Sequence, residues 1–167
     1  MLETEVKVPT ADLEAFRVRL LKMGAVVLQE RHFEENTLYD FRTGDLTLRR
    51  EALRLRTRGR KADLTFKGPP LKSRRFKVRQ EFETEVRKPK QAQKILGALG
   101  FVPVLSYSKH RAVLKLDRVR ICLDETKKGN YVELEGERNR ITALARKLGI
   151  PARTMIKKSY VEILGRA

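Results

Sequence analysis

Charged residues stand at every second position in six segments of the sequence, with mostly apolar or small residues between them. In the first segment Glu3, Glu5 and Lys7 alternate with a threonine and two valines. The other sets are Arg54, Arg56 and Arg58; Arg79, Glu81, Glu83 and Glu85; Lys109 and Arg111; Glu133, Glu135 and Glu137; and Arg120 and Asp124, which share a face with Cys122 between them. Because successive side chains of a strand point to opposite faces, each segment predicts a strand with one charged face and one apolar face.

The residue types on that charged face indicate phosphate and metal chemistry. Arginine and lysine donate to phosphate oxygens, and arginine can bind two oxygens at once. Carboxylates on neighbouring strands are suitable ligands for Mg²⁺ or Mn²⁺. A charged face could simply meet solvent, but six strands with so few Thr, Ser or Gln favour a closed sheet of about eight strands with the charges inside. Buried charges must pair or bind a ligand, and the excess of cations fits a triphosphate with divalent metal.

A repeated unit of strand, helix and glycine organises these segments. Apolar residues at helical spacing predict helices from Leu13 to Met23, Ala92 to Leu99 and Ile141 to Leu148, each followed by a glycine, with Thr10 as the N-cap of the first. Strands are predicted at 2–8, 25–31, 36–40, 51–58, 62–67, 74–87, 105–116, 118–124, 130–137 and 157–164. The prediction is an α+β protein, an antiparallel sheet with helices packed on its apolar outer face.

Length and composition limit the classes of protein. We predict one domain over residues 1–167, and with 41% hydrophobic residues the chain is not a disordered basic tail. The single cysteine, Cys122, excludes a disulfide framework and a multi-cysteine zinc site. The sequence contains neither a signal-peptide pattern nor an apolar run of the roughly 20 residues that a membrane span needs. We therefore expect a cytoplasmic protein with no membrane partner.

The charge balance predicts an anionic partner. Lys and Arg number 38 against 21 Asp and Glu, which gives a net charge of +17. A nucleic-acid-binding module is one interpretation of this charge. However, the cations interleave with glutamate, and there is no tryptophan among the 7% aromatic residues that could stack on bases. We therefore do not expect nucleic acid to be the primary partner.

Taken in order, the motifs resemble those of the CYTH superfamily, the triphosphate tunnel metalloenzymes, nearly from end to end. They are Glu3-x-Glu5-x-Lys7, Asn36 to Asp40, Leu53-Arg54-Leu55-Arg56, Lys67-Gly68-Pro69, Arg79-x-Glu81-x-Glu83, Lys109-x-Arg111, Leu123-Asp124, Glu133-x-Glu135 and Lys158-Ser159-Tyr160. The spacing from Asp124 to Glu135 and the initial Glu-x-Lys-Val are most similar to the class IV adenylate cyclase-like branch. The resemblance implies a closed antiparallel barrel of eight strands.

The resemblance also implies roles for individual residues. Metal would be bound by Glu3, Glu5, Glu133 and Glu135, with Asp124 a further candidate. Phosphates would be bound by Arg54, Arg56, Lys67, Arg79, Lys109 and Arg111, and the catalytic residues would be Lys7, Lys67 and Arg111. Glu81 and Glu83 would bind metal or orient the cations. Lys158 would support the site, although either Lys157 or Lys158 could be the one that faces inward. His110 would face away from Lys109 and Arg111.

Two reactions remain open for this family. A cyclase converts ATP to cyclic AMP and pyrophosphate, whereas a phosphohydrolase releases orthophosphate from tripolyphosphate, thiamine triphosphate or a nucleoside triphosphate. Both require Mg²⁺ or Mn²⁺ and no Ser-His or Cys-His constellation. The family also allows a homodimer.

Overall fold

The computed structural model describes residues 2–164, and its strands form a closed barrel. The elements are β1 (Leu2–Thr10), α1 (Leu13–Lys22), β2 (Val26–Asp40), α2 (Asp45–Leu48), β3 (Ala52–Arg58), β4 (Lys61–Lys67), β5 (Lys77–Val86), α3 (Pro89–Ala98), β6 (Val102–Leu116), β7 (Val119–Thr126), β8 (Gly129–Glu135), α4 (Arg138–Lys147), a 3-10 helix at Ala152–Thr154 and α5 (Tyr160–Leu164). The strand order is β1-β5-β4-β3-β2-β6-β7-β8, and β8 pairs antiparallel with β1. The predicted α+β class and eight-stranded antiparallel barrel with external helices are confirmed.

Residue contacts divide the chain into two compact units. Within the described residues, unit 1 comprises residue 2, 33–71 and 79–108, and unit 2 comprises 3–32, 72–78 and 109–164. Strands β1, β2, β5 and β6 contribute residues to both units.

The apolar face of unit 2 forms the larger core. Leu134 of β8 pairs with Val6 of β1 and with Ile121 of β7, and all three side chains are fully buried. Helices α1 and α4 cover this face through Leu20 and Ile141, which belong to the same cluster. Burying an aliphatic side chain of this size contributes roughly 1.5–3 kcal/mol, so this cluster fixes the face that each strand turns outward.

The apolar face of unit 1 forms a smaller core around Leu53, Leu55, Ala62 and Leu96 of α3. Beside it, the carboxylate of Asp40 accepts hydrogen bonds from the backbone N–H groups of residues 41, 46 and 47 and from the Thr47 hydroxyl, at 2.7–3.0 Å. These bonds fix the short helix α2 at the end of β2. Burial alone would raise the pKa of Asp40, but the four donors together lower it.

Several sequence predictions of local structure were wrong. The side chain that caps α1 is Asp12, which accepts from the Ala15 N–H at 2.9 Å, and Thr10 is the last residue of β1. The two strands predicted at 25–31 and 36–40 are one 15-residue strand, Val26–Asp40. Among the described residues no helix is both long and apolar enough to cross a membrane.

The strand predicted at 157–164 is also wrong, because helix α5 occupies this segment. The Ser159 hydroxyl accepts from the Glu162 N–H at 3.3 Å, and the Glu162 carboxylate accepts from the Ser159 N–H at 2.7 Å. This reciprocal pair is a capping box, which satisfies backbone donors at a helix start. Close to this segment, an isolated β-bridge joins Ile156 to Lys7.

Candidate active site

The strand register of unit 2 brings its predicted charged residues onto one face. Across β1 and β8, Glu5 lies opposite Glu135 and Lys7 lies opposite Glu133. Across β6 and β7, Arg111 lies opposite Asp124. Directly opposed residues project from the same face of a sheet. This face is buried as well as charged, because Glu5, Lys7, Lys109, Arg111, Asp124 and Glu133 are each at most 4% exposed.

Lys7 lies between two carboxylates. Its Nζ is 2.9 Å from Glu5 Oε1 and 2.6 Å from Glu133 Oε2. Burial alone would lower the pKa of Lys7, but the charges of Glu133 and Glu5 outweigh it and raise the pKa above its ordinary value. Lys7 is therefore a fixed ammonium that can donate to a phosphate.

Asp124 is the centre of a group of hydrogen-bond donors. It accepts two bonds of 2.6 Å from Arg111 and one of 3.1 Å from Lys109, and it also accepts from the Tyr160 hydroxyl. Burial would raise the pKa of Asp124, but the charges of Arg111 and Lys109 lower it. Asp124 thus orients the two cations, whereas its predicted metal role stays a prediction, since it does not belong to the carboxylate groups described next.

Two groups of side chains could each hold a metal ion. The first is Glu3, Glu5 and Glu135, and the second is Cys122, Glu133 and Glu135; within each group the ligand atoms lie within 4.8 Å of one another. Oxygen donors of this type suit Mg²⁺ and Mn²⁺. Four of the five predicted metal ligands are therefore brought together.

The electrostatics of Glu135 fit a cation at this place. Burial, together with the negative charge of Glu133 and a hydrogen bond between the two carboxyl groups, raises the pKa of Glu135 to about 8. Arg120 Nε lies 3.3 Å from Glu135 Oε2, but its side chain is 44% exposed, so solvent screens its charge. The cluster carries more carboxylate than the nearby cations neutralise, and a divalent ion would supply the missing positive charge.

Sequence reasoning missed two residues of unit 2. Tyr160 is buried, and its ring centroid lies 4.9 Å from Lys7 Nζ and 4.3 Å from Lys109 Nζ, in addition to its bond to Asp124. Lys77, which lies in the strand predicted at 74–87, donates to Glu5 Oε1 at 2.8 Å. The closing Ser-Tyr motif was a signal for Tyr160, whereas no motif singled out Lys77. Lys158 and Lys157 are both exposed.

The charged face of unit 1 contains the other predicted phosphate-binding residues. Arg54 donates to Thr65 Oγ1 at 3.2 Å and lies 3.6 Å from Glu83, and Lys67 lies 3.0 Å from Glu81. Arg79 donates to the backbone carbonyl of Gly68 at 2.6 Å and to that of Arg50. Glu81 and Glu83 therefore each lie beside a cation, and the two roles predicted for them, binding metal or orienting cations, both stay predictions.

Arg56 has two buried partners that the predicted site did not include. Its Nε donates to Asn36 Oδ1 at 3.1 Å and lies 3.5 Å from Glu34 Oε2. The Asn36 Nδ2 is buried and has no hydrogen-bond partner within residues 2–164. The motif around Asn36 was recognised, but no chemical role was assigned to it.

Comparisons with known proteins agree with this geometry. The family model described as the CYTH domain matches residues 1–160. A candidate adenylate cyclase from Vibrio parahaemolyticus is 23% identical, with a TM-score of 0.88 over 98% of each chain. A protein from Pyrococcus horikoshii OT3 is 27% identical, with a TM-score of 0.76 over 97% of each chain. A candidate adenylyl cyclase from Hippeastrum with dominant triphosphatase activity is 22% identical, with a TM-score of 0.73 over 97% of this chain and 93% of that one. No curated protein matches the sequence.

Proposed function

The chain belongs to the CYTH domain family, and we propose that it is a metal-dependent enzyme that acts on a triphosphate. The proposed reaction is that of the class IV adenylate cyclases, which convert ATP to cyclic AMP and pyrophosphate. The observation that carries this proposal lies within unit 2. The carboxylates of Glu3, Glu5 and Glu135 form a cluster next to Lys7. Lys7 is a buried ammonium that forms ion pairs with Glu5 and Glu133. The candidate metal ligands therefore lie next to a hydrogen-bond donor for a phosphate oxygen.

The residues of unit 2 divide the work between them. Glu3, Glu5, Glu133 and Glu135 hold Mg²⁺ or Mn²⁺, and such an ion, when bound, neutralises phosphate charge and activates a nucleophile. Lys7, Lys109 and Arg111 donate to phosphate oxygens, as fixed donors that need no reorganisation when charge develops. Asp124 and Tyr160 keep Lys109 and Arg111 in place, which makes them positioning residues.

In unit 1 the proposed phosphate ligands are Arg54, Arg56, Lys67 and Arg79. Arg79 has a second role, because its bonds to the backbone carbonyls of Gly68 and Arg50 hold the start of the turn after β4 and the segment between α2 and β3. Lys67 is the proposed catalytic cation of this unit, and Glu81 orients its ammonium. These assignments rest on the family motifs together with the shared charged face of β3, β4 and β5.

The reaction is set by which oxygen attacks which phosphorus. In cyclisation the ribose 3′-oxygen attacks the α-phosphorus. The bond between the α-phosphorus and the oxygen that bridges it to the β-phosphate breaks, and pyrophosphate leaves. In the second candidate reaction water attacks the terminal phosphorus, and the bond from that phosphorus to its bridging oxygen breaks. The diphosphate part of the substrate is the leaving group, and the attacked phosphorus is released as orthophosphate. The dominant triphosphatase activity of the Hippeastrum protein favours this second candidate, whereas the Asp124 to Glu135 spacing favours the first.

A product assay tests the proposal. The purified full chain is incubated with Mg²⁺ or Mn²⁺ and, separately, with ATP, tripolyphosphate or thiamine triphosphate, and the products are identified by mass. Cyclic AMP with pyrophosphate supports the cyclase, orthophosphate release supports the phosphohydrolase, and the absence of any product contradicts both. Glu5→Gln should lose at least about 100-fold in rate, because transition-state charge is no longer balanced. Glu125→Gln is the matched control, since Glu125 lies on β7 and its carboxylate pairs with the exposed Arg31.

A further inference from the structure

A group of exposed cations in unit 2 lies in two segments that contain no acidic residue. Segments 68–78 and 150–161 contain no Asp or Glu, although the chain as a whole has 21. Their exposed cations are Lys72, Arg74, Arg75, Arg153, Lys157 and Lys158, which we call the basic surface. The two segments are in contact, because Lys157 Nζ donates to the Ser73 carbonyl at 3.1 Å.

These cations differ from Arg31 and Lys147, two exposed cations of unit 2 that have carboxylate partners. Arg31 lies 2.9 Å from Glu125, and Lys147 lies 2.7 Å from Asp117, so their charges are balanced locally. Across residues 2–164, by contrast, no cation of the basic surface forms an ion pair with a carboxylate. Unbalanced charges of one sign add to a field that attracts anions over several ångströms.

Both segments lead directly from the basic surface to the buried charged face. The first continues to Lys77, whose Nζ is 2.8 Å from Glu5 Oε1. In the second, Ile156 exchanges two backbone hydrogen bonds with Lys7, and Tyr160 donates to Asp124. The exposed cations are therefore only a few residues along the chain from the groups that would receive a phosphate.

From these contacts we propose that the basic surface captures the anionic triphosphate from solution and directs it to the buried cations of unit 2. This inference rests on the proposed function and adds to it a role for charges that bind neither metal nor reacting atoms. Steering of this kind raises the association rate by about 10- to 1,000-fold, and it depends strongly on ionic strength. It leaves the dissociation rate nearly unchanged, because the bound ligand contacts other groups.

Stopped-flow association of a fluorescent ATP analogue with the full chain and Mg²⁺ tests the proposal. The variant Lys72→Gln/Arg74→Gln/Arg75→Gln removes three charges of the basic surface. The control Arg118→Gln/Arg138→Gln/Arg146→Gln removes three exposed charges on α4 and at the turn between β6 and β7. At low salt, where the Debye length is about 30 Å, we expect the first variant to associate about 10-fold more slowly and the control to match the wild type. At about 1 M salt, where that length is about 3 Å, the three rates should converge.

Each other outcome overturns the proposal in a recognisable way. Equal association rates for both variants and the wild type at low salt overturn the capture role but leave the proposed function intact. A wild type that binds neither the ATP analogue nor tripolyphosphate overturns both. If the first variant loses affinity for duplex DNA while its association with the ATP analogue is unchanged, the basic surface serves a polymer instead, and the proposal is wrong.

Discussion

The protonation of Glu135 makes the stability of the metal-free protein depend on pH in an unusual direction. The folded-state pKa is about 8, whereas a glutamate in an unfolded chain has a pKa of about 4.3. Between these values the unfolded chain is ionised while the folded protein retains a proton, so unfolding releases one proton. The free energy of unfolding then falls as pH rises, by at most about 1.4 kcal/mol per pH unit. The contribution is fully present below pH 4.3 and is lost by about pH 8.

Glu135→Gln isolates this effect, since the amide cannot ionise. In urea denaturation with EDTA, from pH 5 to about 9, the stability of Glu135→Gln minus that of the wild type should grow with pH, by a few kcal/mol in total, and level off above about pH 8. Glu137→Gln is the control, because Glu137 is exposed and its curve should parallel the wild type. Added Mg²⁺ should stabilise the wild type more than Glu135→Gln at pH 8, since a cation favours ionised Glu135. Parallel curves for Glu135→Gln and the wild type would refute the raised pKa.

Three further predictions concern single side chains. Tyr160→Phe should lower the free energy of unfolding by about 1 kcal/mol in urea denaturation, because one buried hydrogen bond to Asp124 is lost; an unchanged value would contradict it. Asp40→Asn should lower the free energy of unfolding by about 1–3 kcal/mol at pH 7. Because the pKa of Asp40 is lowered in the folded protein, this difference should be lost as the pH falls below about 3.9. A difference that does not change with pH would contradict the charge-based cause. Lys77→Met should tighten Mg²⁺ binding about three- to tenfold in calorimetry, because Lys77 competes with the ion for Glu5, and weaker binding would show that Lys77 orders the site instead.

The charged face could be predicted from the sequence because a strand has a period of two. Once Val6 and Leu134 are buried against α1 and α4, Glu5, Lys7 and Glu133 have to project from the other side. The pattern therefore predicts which residues share a face, and the closed strand order confirms the barrel. It does not predict which carboxylate meets which cation, because that depends on the register between strands distant in sequence.

The missed features have a different physical origin. The sequence contains the capping box of Ser159 and Glu162, which is typical of a helix start, but the strand prediction at 157–164 did not use it. Tyr160 consequently faces the buried charges from a helix start instead of from a strand. Lys77 stands two residues before Arg79 and so continues the alternating charged set of that strand, but its partner Glu5 could not be predicted from spacing, because the two residues are 72 positions apart.

The ion pairs of unit 2 explain how so many charges can be buried before any ligand binds. Each of the buried cations Lys7, Lys109 and Arg111 has a carboxylate partner. A buried cation without such a partner would cost several kcal/mol of stability. When a metal and a triphosphate bind, the carboxylates can exchange ammonium partners for the metal, and the cations can exchange carboxylates for phosphate oxygens. The number of opposite-charge contacts is then conserved, and the desolvation of the protein groups has already taken place during folding. It follows that removing one partner, as in Glu133→Ala, should cost more stability in the metal-free protein than removing Lys7 and Glu133 together, because only the single variant leaves a buried Lys7 with Glu5 alone.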